Sequence, residues 1–367
     1  MLRSGTKLGQ LLGVLAAVAL VVGTIRQGQD FEVYWAAGRA ALFRENPYDL
    51  GRFGAMVFKY PPWFLPGFGL VALIPIGAAK ILWGLLELGS VFLIWFHYRR
   101  YHQLPFWVAA AVGWGVLFPH FQDGQVMLPA LAGWILCDAP TWPRWRGGLA
   151  GIKAGTALAL LGENVRSEWL SWIQGGATLL LVASAIGVWC GTGVLGIWSD
   201  WWTAAQSGDQ LLGLGKVLGR NNQGLPAFWS RIPVPLSEGG RSLAAFGSVV
   251  AVVAGFAWKS RSWPRHWRRL GWWPIAIVAH PLAWFHSFTW ALPLAWVSIH
   301  QLTGKVSGST RNVPRAIAQG VGLVLLLGIS RKTLGDAQEW VELYSPKAFG
   351  TLLLLWGLEA PVSPKEA

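Results

Sequence analysis

The sequence predicts an all-α polytopic membrane protein, and three observations carry that prediction. Only 13% of the 367 residues are charged, against about 25% in ordinary globular chains. Hydrophobic residues make up 53% of the chain and the mean hydropathy is +0.42. Apolar runs of about 14 to 20 residues recur from end to end, close to the length that a bilayer core imposes on a helix.

About twelve runs qualify as candidate spans: 8–25, 62–78, 80–97, 105–119, 125–137, 147–161, 169–191, 243–258, 271–283, 285–299, 316–329 and 348–358. Those shorter than about 20 residues are expected to be tilted, broken or partly inserted. The first run, Leu8–Ile25, has no small-x-small cleavage site ahead of polar sequence and reads as a retained span. No internal repeat is visible, and the tail Pro361–Ala367 reads as disordered. The chain reads as one transmembrane domain, 1–367, with an interfacial loop at 26–61 and a second polar segment at 200–241.

The net charge of +13 comes from basic residues placed between apolar runs. There they meet lipid headgroups and set orientation, which argues against a nucleic-acid partner. The two cysteines, Cys137 and Cys190, sit inside apolar runs and offer neither a disulfide framework nor metal-ligand spacing. Most of the 26 tryptophans lie near run ends, as interfacial belts require.

The stretch from Asp30 to Trp63 is unusual, because a membrane protein would normally place a short loop there. Asp30 follows the first run directly, so its carboxylate belongs near the membrane–water interface. Residues 31–43 read as an amphipathic helix, with Val33, Ala37, Ala40 and Ala41 on one side and Glu32 and Arg39 elsewhere. This helix is expected to lie flat on the outer leaflet. Asn46-Pro47-Tyr48-Asp49 ends it, since the residue before a proline is pushed out of the α region. Tyr60-Pro61-Pro62-Trp63 then opens the next run, where prolines suit a first turn. Two readings of Asp30 are open. It is an N-cap for the interfacial helix, or a general base at a membrane-surface site, with Tyr34 one helical turn on and facing the same cleft.

Gln125, in Asp123-Gly124-Gln125, is a polar residue just ahead of a span. Lys153 lies inside the run GIKAGTALALL, where an ammonium either faces an interior pathway or snorkels on its four-carbon stem. Between 200 and 241, Asn222 and Gln223 have the donors and acceptors that suit sugar hydroxyls, and Arg231 suits a phosphate. The alternative there is a solvated loop. His280 and His286 are six apart, which is not the three or four of a helical metal pair. Each is either a hydrogen-bonded structural residue or an imidazole facing a polar cleft.

Orientation follows the basic residues. Lys259, Arg261, Arg265, Arg268 and Arg269 mark a cytoplasmic loop, Lys305, Arg311 and Arg315 agree with it, and Arg3 and Lys7 place the N-terminus inside. Strict alternation of twelve spans then puts Asp30–Trp63, the 200–241 segment and His280–His286 outside. It also strands Arg99, Arg100, Arg144 and Arg146 on the outer face, against the positive-inside rule.

The ordered set D-F-x-V-Y at 30–34, N-P-Y at 46–48, Y-P-P at 60–62, G-Q-V at 124–126, Lys153, N-Q-G-L at 222–225 with Arg231, and P-L-A-W-F-H at 281–286 resembles the polytopic C-type glycosyltransferases. It is most similar to glycosyltransferase family 87, the polyprenyl-phosphate-mannose-dependent α-mannosyltransferase-like group, over most of the chain to about residue 300. The chain departs from the family pattern at Gly224 (a serine there), Phe285 (commonly aspartate), Ser287 (a second histidine) and in lacking a proline after Lys153.

The resemblance implies a GT-C-like bundle of about 10–12 transmembrane helices with outer-face interfacial helices, in a bacterial cytoplasmic membrane. It implies transfer of a mannose-like hexose from a polyprenyl-phosphate sugar to a lipid-linked or cell-envelope acceptor, with membrane lipids around the site. Asp30 would be the catalytic base. Tyr34, Tyr60, Gln125, Lys153, Asn222, Gln223, Arg231 and His286 would bind donor or acceptor, Arg231 and His286 taking the donor phosphate. No cofactor is implied, and no acidic pair in the sequence demands a metal. A lipid or small-solute transporter or flippase is the rival from another class, and a non-catalytic scaffold a third. An enzyme expects Asp30, Arg231 and His286 at one outer cavity, whereas a transporter expects polar residues, Lys153 included, along a midplane path.

Overall fold

A computed structural model of the chain describes residues 3–49, 57–138, 145–152, 154–163, 165–211, 222–303, 313–329, 334–337 and 341–359. The regular elements among the described residues are all helices, with no strand and a single isolated bridge between Asn222 and Trp284. Lys153, Arg144 and the tail beyond 359 lie outside the described residues.

Among the described residues, four helices are long and apolar enough to cross a membrane: Lys7–Arg26, Ile76–His102, Glu168–Trp189 and Glu238–Ser260. The first belongs to α1 (Arg3–Arg26), whose 24 residues reach about 36 Å at 1.5 Å per residue. α1 leaves Leu8, Leu11, Leu12, Leu15 and Val18 exposed. A helix that is apolar on its exposed side as well as its packed side has the surface of a membrane span. Its packed side uses small residues, as helix pairs in lipid do. A Cβ on Gly9 or Gly13 would lie within 2.8 Å of Trp107, at the start of α5 (Phe106–Asp123). Gly84 of α4 (Ile76–His102) approaches Val21 in the same way.

At Gly28 the chain turns out of α1 with φ +49°, and an added Cβ would meet Thr24 O at 2.5 Å, so glycine is required. The amphipathic helix expected at 31–43 follows as α2 (Gln29–Leu42), with Phe31, Val33, Tyr34, Ala37, Gly38 and Ala40 buried and Glu32 and Arg39 exposed. Its 14 residues span about 21 Å, less than a bilayer core. Asn46 then accepts the Tyr48 amide in an Asx turn at 2.9 Å and donates to Asp200 at 2.9 Å.

The candidate span 62–78 does not form one membrane-length helix. A 3-10 turn at Pro62–Phe64 leads into α3 (Leu65–Ala72), eight residues or about 12 Å long. Both ends of this segment return to α2. Tyr60 packs edge-on to Tyr34 with centroids 5.1 Å apart, the Trp35 indole donates to Ile74 O at 3.0 Å, and Gly38 sits against the Phe68 backbone.

The candidate span 147–161 does not form one either. It forms a hairpin of α7 (Arg146–Ala150) and a 3-10 helix at Ala154–Gly162. Both feet stand in one ionic cluster. Arg146 reaches Asp138 at 2.6 Å and Glu168 at 2.5 Å. Arg269 bridges Asp138 and Glu163 at 2.6 Å each, and Arg265 bridges Glu163 and Glu168 at 2.5 Å each. Asp138 follows α6 (Met127–Leu136), Glu168 belongs to α8 (Val165–Trp189), and Arg265 and Arg269 to α12 (Arg265–Val278).

Neither 62–78 nor 147–161 forms a membrane-length helix, and α4, α5 and α6 run opposite to the direction that strict alternation of twelve spans expects. Tyr101 accordingly stacks on His266 at 4.7 Å, and Tyr98 packs on Trp273 at 5.8 Å. So Arg99, Arg100 and Arg146 gather at the same end as Arg265 and Arg269, and their expected placement on the opposite face is corrected.

The later helices join the same end. α11 (Glu238–Ser260) ends there, and Lys259 donates to Leu355 O at 2.6 Å in α15 (Pro346–Gly357). Gln301 of α13 (Leu292–Thr303) accepts from Gln319 of α14 (Val313–Leu323) at 2.8 Å. At the opposite end lie α2, α3, α10 (Leu225–Arg231) and α9 (Gly193–Leu211), whose Trp201 donates to Lys59 O at 3.0 Å.

Candidate functional site

At the end away from the basic cluster, three separate segments bring polar atoms together in an otherwise apolar core. The Tyr34 hydroxyl lies 3.1 Å from the Tyr60 hydroxyl and donates to Gln125 Oε1 at 3.3 Å; Tyr60 reaches the same oxygen at 3.5 Å. Tyr34 is fixed because its ring stacks on Phe68 at 4.9 Å and meets Phe58 and Trp83 edge-on. Tyr48 fixes the Tyr60 backbone by donating to its carbonyl at 2.8 Å.

Gln125 is placed by the turn between α5 and α6. Gly124 closes α5 in the left-handed region (φ +68°), and a Cβ there would meet Phe31 at 2.8 Å. The Trp83 indole donates to Gly124 O at 3.0 Å. Buried in this way, both phenols titrate well above their ordinary range. Desolvation is the main cause, with Tyr60 and Asp30 adding to it at Tyr34 and Asp30 adding to it at Tyr60. They remain protonated donors.

Asp30 occupies the first turn of α2, half-buried, where its charge acts on both phenols. Glu32, two residues on, points elsewhere and pairs with Lys80 at 2.5 Å. A second carboxylate, Asp123, also acts on Tyr34. Its Oδ2 lies 3.3 Å from Nδ1 of His286, in the 3-10 helix Phe285–Ala291. The site therefore combines two carboxylates, an imidazole, two phenols and an amide. Among the described residues, no group of three or more His, Cys, Asp or Glu is arranged to hold a metal ion. Asp123 as a site residue was missed from the sequence. The signal for it was a carboxylate closing an apolar run just ahead of Gly-Gln, a placement that mirrors Asp30 after the first run.

Asn222, Gln223 and Arg231 form a neighbouring scaffold. Asn222 Oδ1 accepts from the amides of Ala283 and Gly224 at 3.0 and 3.3 Å, and its Nδ2 donates to Pro281 O. Gln223 donates to Glu342 O at 3.1 Å, and its amide to Ala283 O at 2.7 Å. The Arg231 guanidinium spans Leu343 O, Asn222 O and Ser345 Oγ, and burial pulls its pKa down to about 10. These contacts fasten the 281–286 segment, and with it His286, to α10 and the start of α15. Lys347 completes the support, buried over the Phe285 ring at 5.2 Å and donating to Leu326 O at 2.8 Å.

Gly224 has a local reason here: a Cβ at this position would lie 2.4 Å from His280 O, so a serine does not fit without backbone movement. His280 Nδ1 accepts the Leu282 amide at 2.8 Å, a local turn bond. Of the residues singled out from the sequence, Asp30, Tyr34, Tyr60, Gln125 and His286 thus converge. Asn222, Gln223 and Arg231 brace them, and Lys153 is outside the described residues. No family model matches the chain, and neither a curated protein nor a solved structure matches it.

Proposed function

We propose that the chain is an integral-membrane glycosyltransferase. It would move a mannose-like hexose from a polyprenyl-phosphate sugar to a hydroxyl of a lipid-linked or cell-envelope acceptor. The observation that supports this reading is the cluster of Asp30, Tyr34, Tyr60, Gln125, Asp123 and His286 at the end of the bundle opposite the arginine cluster. By the positive-inside rule the arginine end faces the cytoplasm, so the site faces outward in a multi-pass bacterial inner-membrane protein.

In this reading Asp30 takes the proton of the acceptor hydroxyl as its oxygen attacks the anomeric carbon. The bond from that carbon to the donor phosphate breaks with inversion, and the electron pair leaves on phosphate. His286, held by Asp123, offers its imidazole to the developing negative charge. Tyr34, Tyr60 and Gln125 offer hydroxyl and amide groups to sugar oxygens. A transporter of lipid or small solute is the second reading. It draws support from Glu87 and His120, an ionisable pair fully buried inside the bundle.

The deciding experiment supplies purified protein with a panel of labelled polyprenyl-phosphate hexoses and a membrane lipid extract, and analyses the products. A new glycosylated lipid or glycan supports transfer. Movement of labelled lipid across vesicles with no covalent product would replace it with transport.

A further inference from the structure

Away from the site surface, α1, α4 and α5 meet at Thr24, Glu87 and His120, all fully buried. Thr24 Oγ1 lies 2.8 Å from Phe121 O and 2.9 Å from Glu87 Oε2. Glu87 Oε1 lies 3.0 Å from His120 Nδ1, and His120 Nε2 accepts the Leu128 amide at 3.1 Å. A hydroxyl has one proton and a carbonyl only accepts. If Thr24 donates to Phe121 O, its remaining contact with Glu87 can be satisfied only by a proton on Glu87 Oε2. Nε2 of His120 is an acceptor, so the imidazole proton is on Nδ1, facing Glu87 Oε1. An ionised Glu87 would instead be a buried charge with Thr24 left facing Phe121 O lone pair to lone pair, a costly arrangement.

We infer that Glu87 is a neutral carboxylic acid in the folded protein. It forms a directional chain with Thr24 and Phe121 O, and its other oxygen packs 3.0 Å from Nδ1 of His120, outside hydrogen-bond alignment. The chain clamps the Phe121 side of the 120–128 turn onto α1 and α4. The Gln125 backbone N–H also faces the Glu87 carboxyl. Glu87 is therefore a positioning residue for Asp123 and Gln125, a role that rests on the site proposed above. The groups that bear on its proton are His120 and Asp123 from α5 and Thr24 from α1. Along α4 itself, Lys80 is engaged by Glu32. α6 contributes no charge.

The test has three readouts. Infrared difference spectra between wild type and Glu87→Gln at neutral pH should show a protonated-carboxyl band in the wild type that the variant lacks. Absence of that band would overturn the assignment of the proton. Glu87→Gln presents a neutral donor and acceptor in the same places, so hydrogen exchange across 120–128 should stay near wild type. Thr24→Val, a mild change of shape, should speed exchange in this turn about tenfold, as loss of one buried hydrogen bond does, while leaving the arginine end unchanged. Unchanged exchange in Thr24→Val would overturn the positioning role. Where transfer is measurable, Glu87→Leu should lower turnover and Glu87→Gln should restore it; equal activity of the two would also overturn positioning. Failure to detect transfer in wild type would count against the glycosyltransferase reading alone, because the infrared and exchange results do not depend on it.

Discussion

Removing Arg269 tests how the two halves of the chain are tied together. Its guanidinium donates to Glu163 at 2.7 and 2.6 Å and to Asp138 through two bonds of 2.6 Å. The Arg269 and Glu163 side chains are 3% and 0% exposed, so the pair is sheltered from solvent screening. Breaking one partner of a buried ion pair costs about 3–5 kcal/mol. Arg146 still holds Asp138 and Arg265 still holds Glu163 in the variant, which places Arg269→Met at the lower figure, about 3 kcal/mol. Arg269→Lys, one point charge for a five-donor fork, should recover only part of it.

The same cluster sets an acid limit. Burial would raise the Asp138 and Glu163 pKa values, but the hydrogen bonds and charge of Arg269, with Arg146 and Arg265, hold both carboxyls below their ordinary range. Depressed carboxylates stabilise the fold above their unfolded pKa, about 4, and that contribution is lost as pH falls through the lower folded values. Denaturant unfolding in detergent, followed at several pH values, should show wild type losing stability below about pH 4 and Arg269→Met losing less of it there. A cost below about 1 kcal/mol at neutral pH, or an unchanged acid slope, would refute the cluster as a stabilising tie.

Two further outcomes follow from the geometry. Single cysteines replacing Arg39 and Arg99, both exposed, in a background without Cys137 and Cys190, should be labelled from opposite sides of the membrane, Arg39 from outside; labelling from one side would contradict the inverted α4. Arg231→Ala should destabilise by about 1–3 kcal/mol, because it strands buried carbonyls, and Arg231→Lys should recover only part of that. A variant of full stability with weakened polyprenyl-phosphate binding would instead move Arg231 from scaffold to ligand contact.

The amphipathic α2 and its turn were legible because 3.6-residue periodicity, Asn-Pro and Pro-Pro are local signals. Tyr34 and Gln125 were legible as polar groups beside apolar runs. The crossings were harder. Hydropathy sees only that 62–78 is apolar, whereas Pro75 ends one helical segment and starts α4, leaving α3 half the needed length. The 147–161 run likewise carries no mark of the hairpin, whose reason is the pairing of Arg146 with carboxylates brought up by α8 and the 3-10 helix. Arg269 meets Asp138 across 131 positions of sequence, beyond any local pattern. Glu87 was not singled out from the sequence, although an acid inside an apolar run is a signal of its own. That it meets His120 and Thr24 depended on helix packing. Arg231 suited a phosphate by residue type, whereas the structure shows it bonded to two backbone carbonyls and the Ser345 hydroxyl.

The central claim, that Asp30 is a base serving a sugar acceptor, is tested most directly by Asp30→Asn. The substitution keeps size and hydrogen bonding and removes basicity. With wild-type transfer established from a polyprenyl-phosphate hexose, the measurement is turnover at saturating donor alongside donor binding and unfolding of the same preparation. The account predicts a fall in turnover of about 10²–10⁴-fold with binding and stability retained. Near-normal turnover, or a loss confined to about 0.5–2 kcal/mol of stability as removal of an N-cap gives, would contradict it.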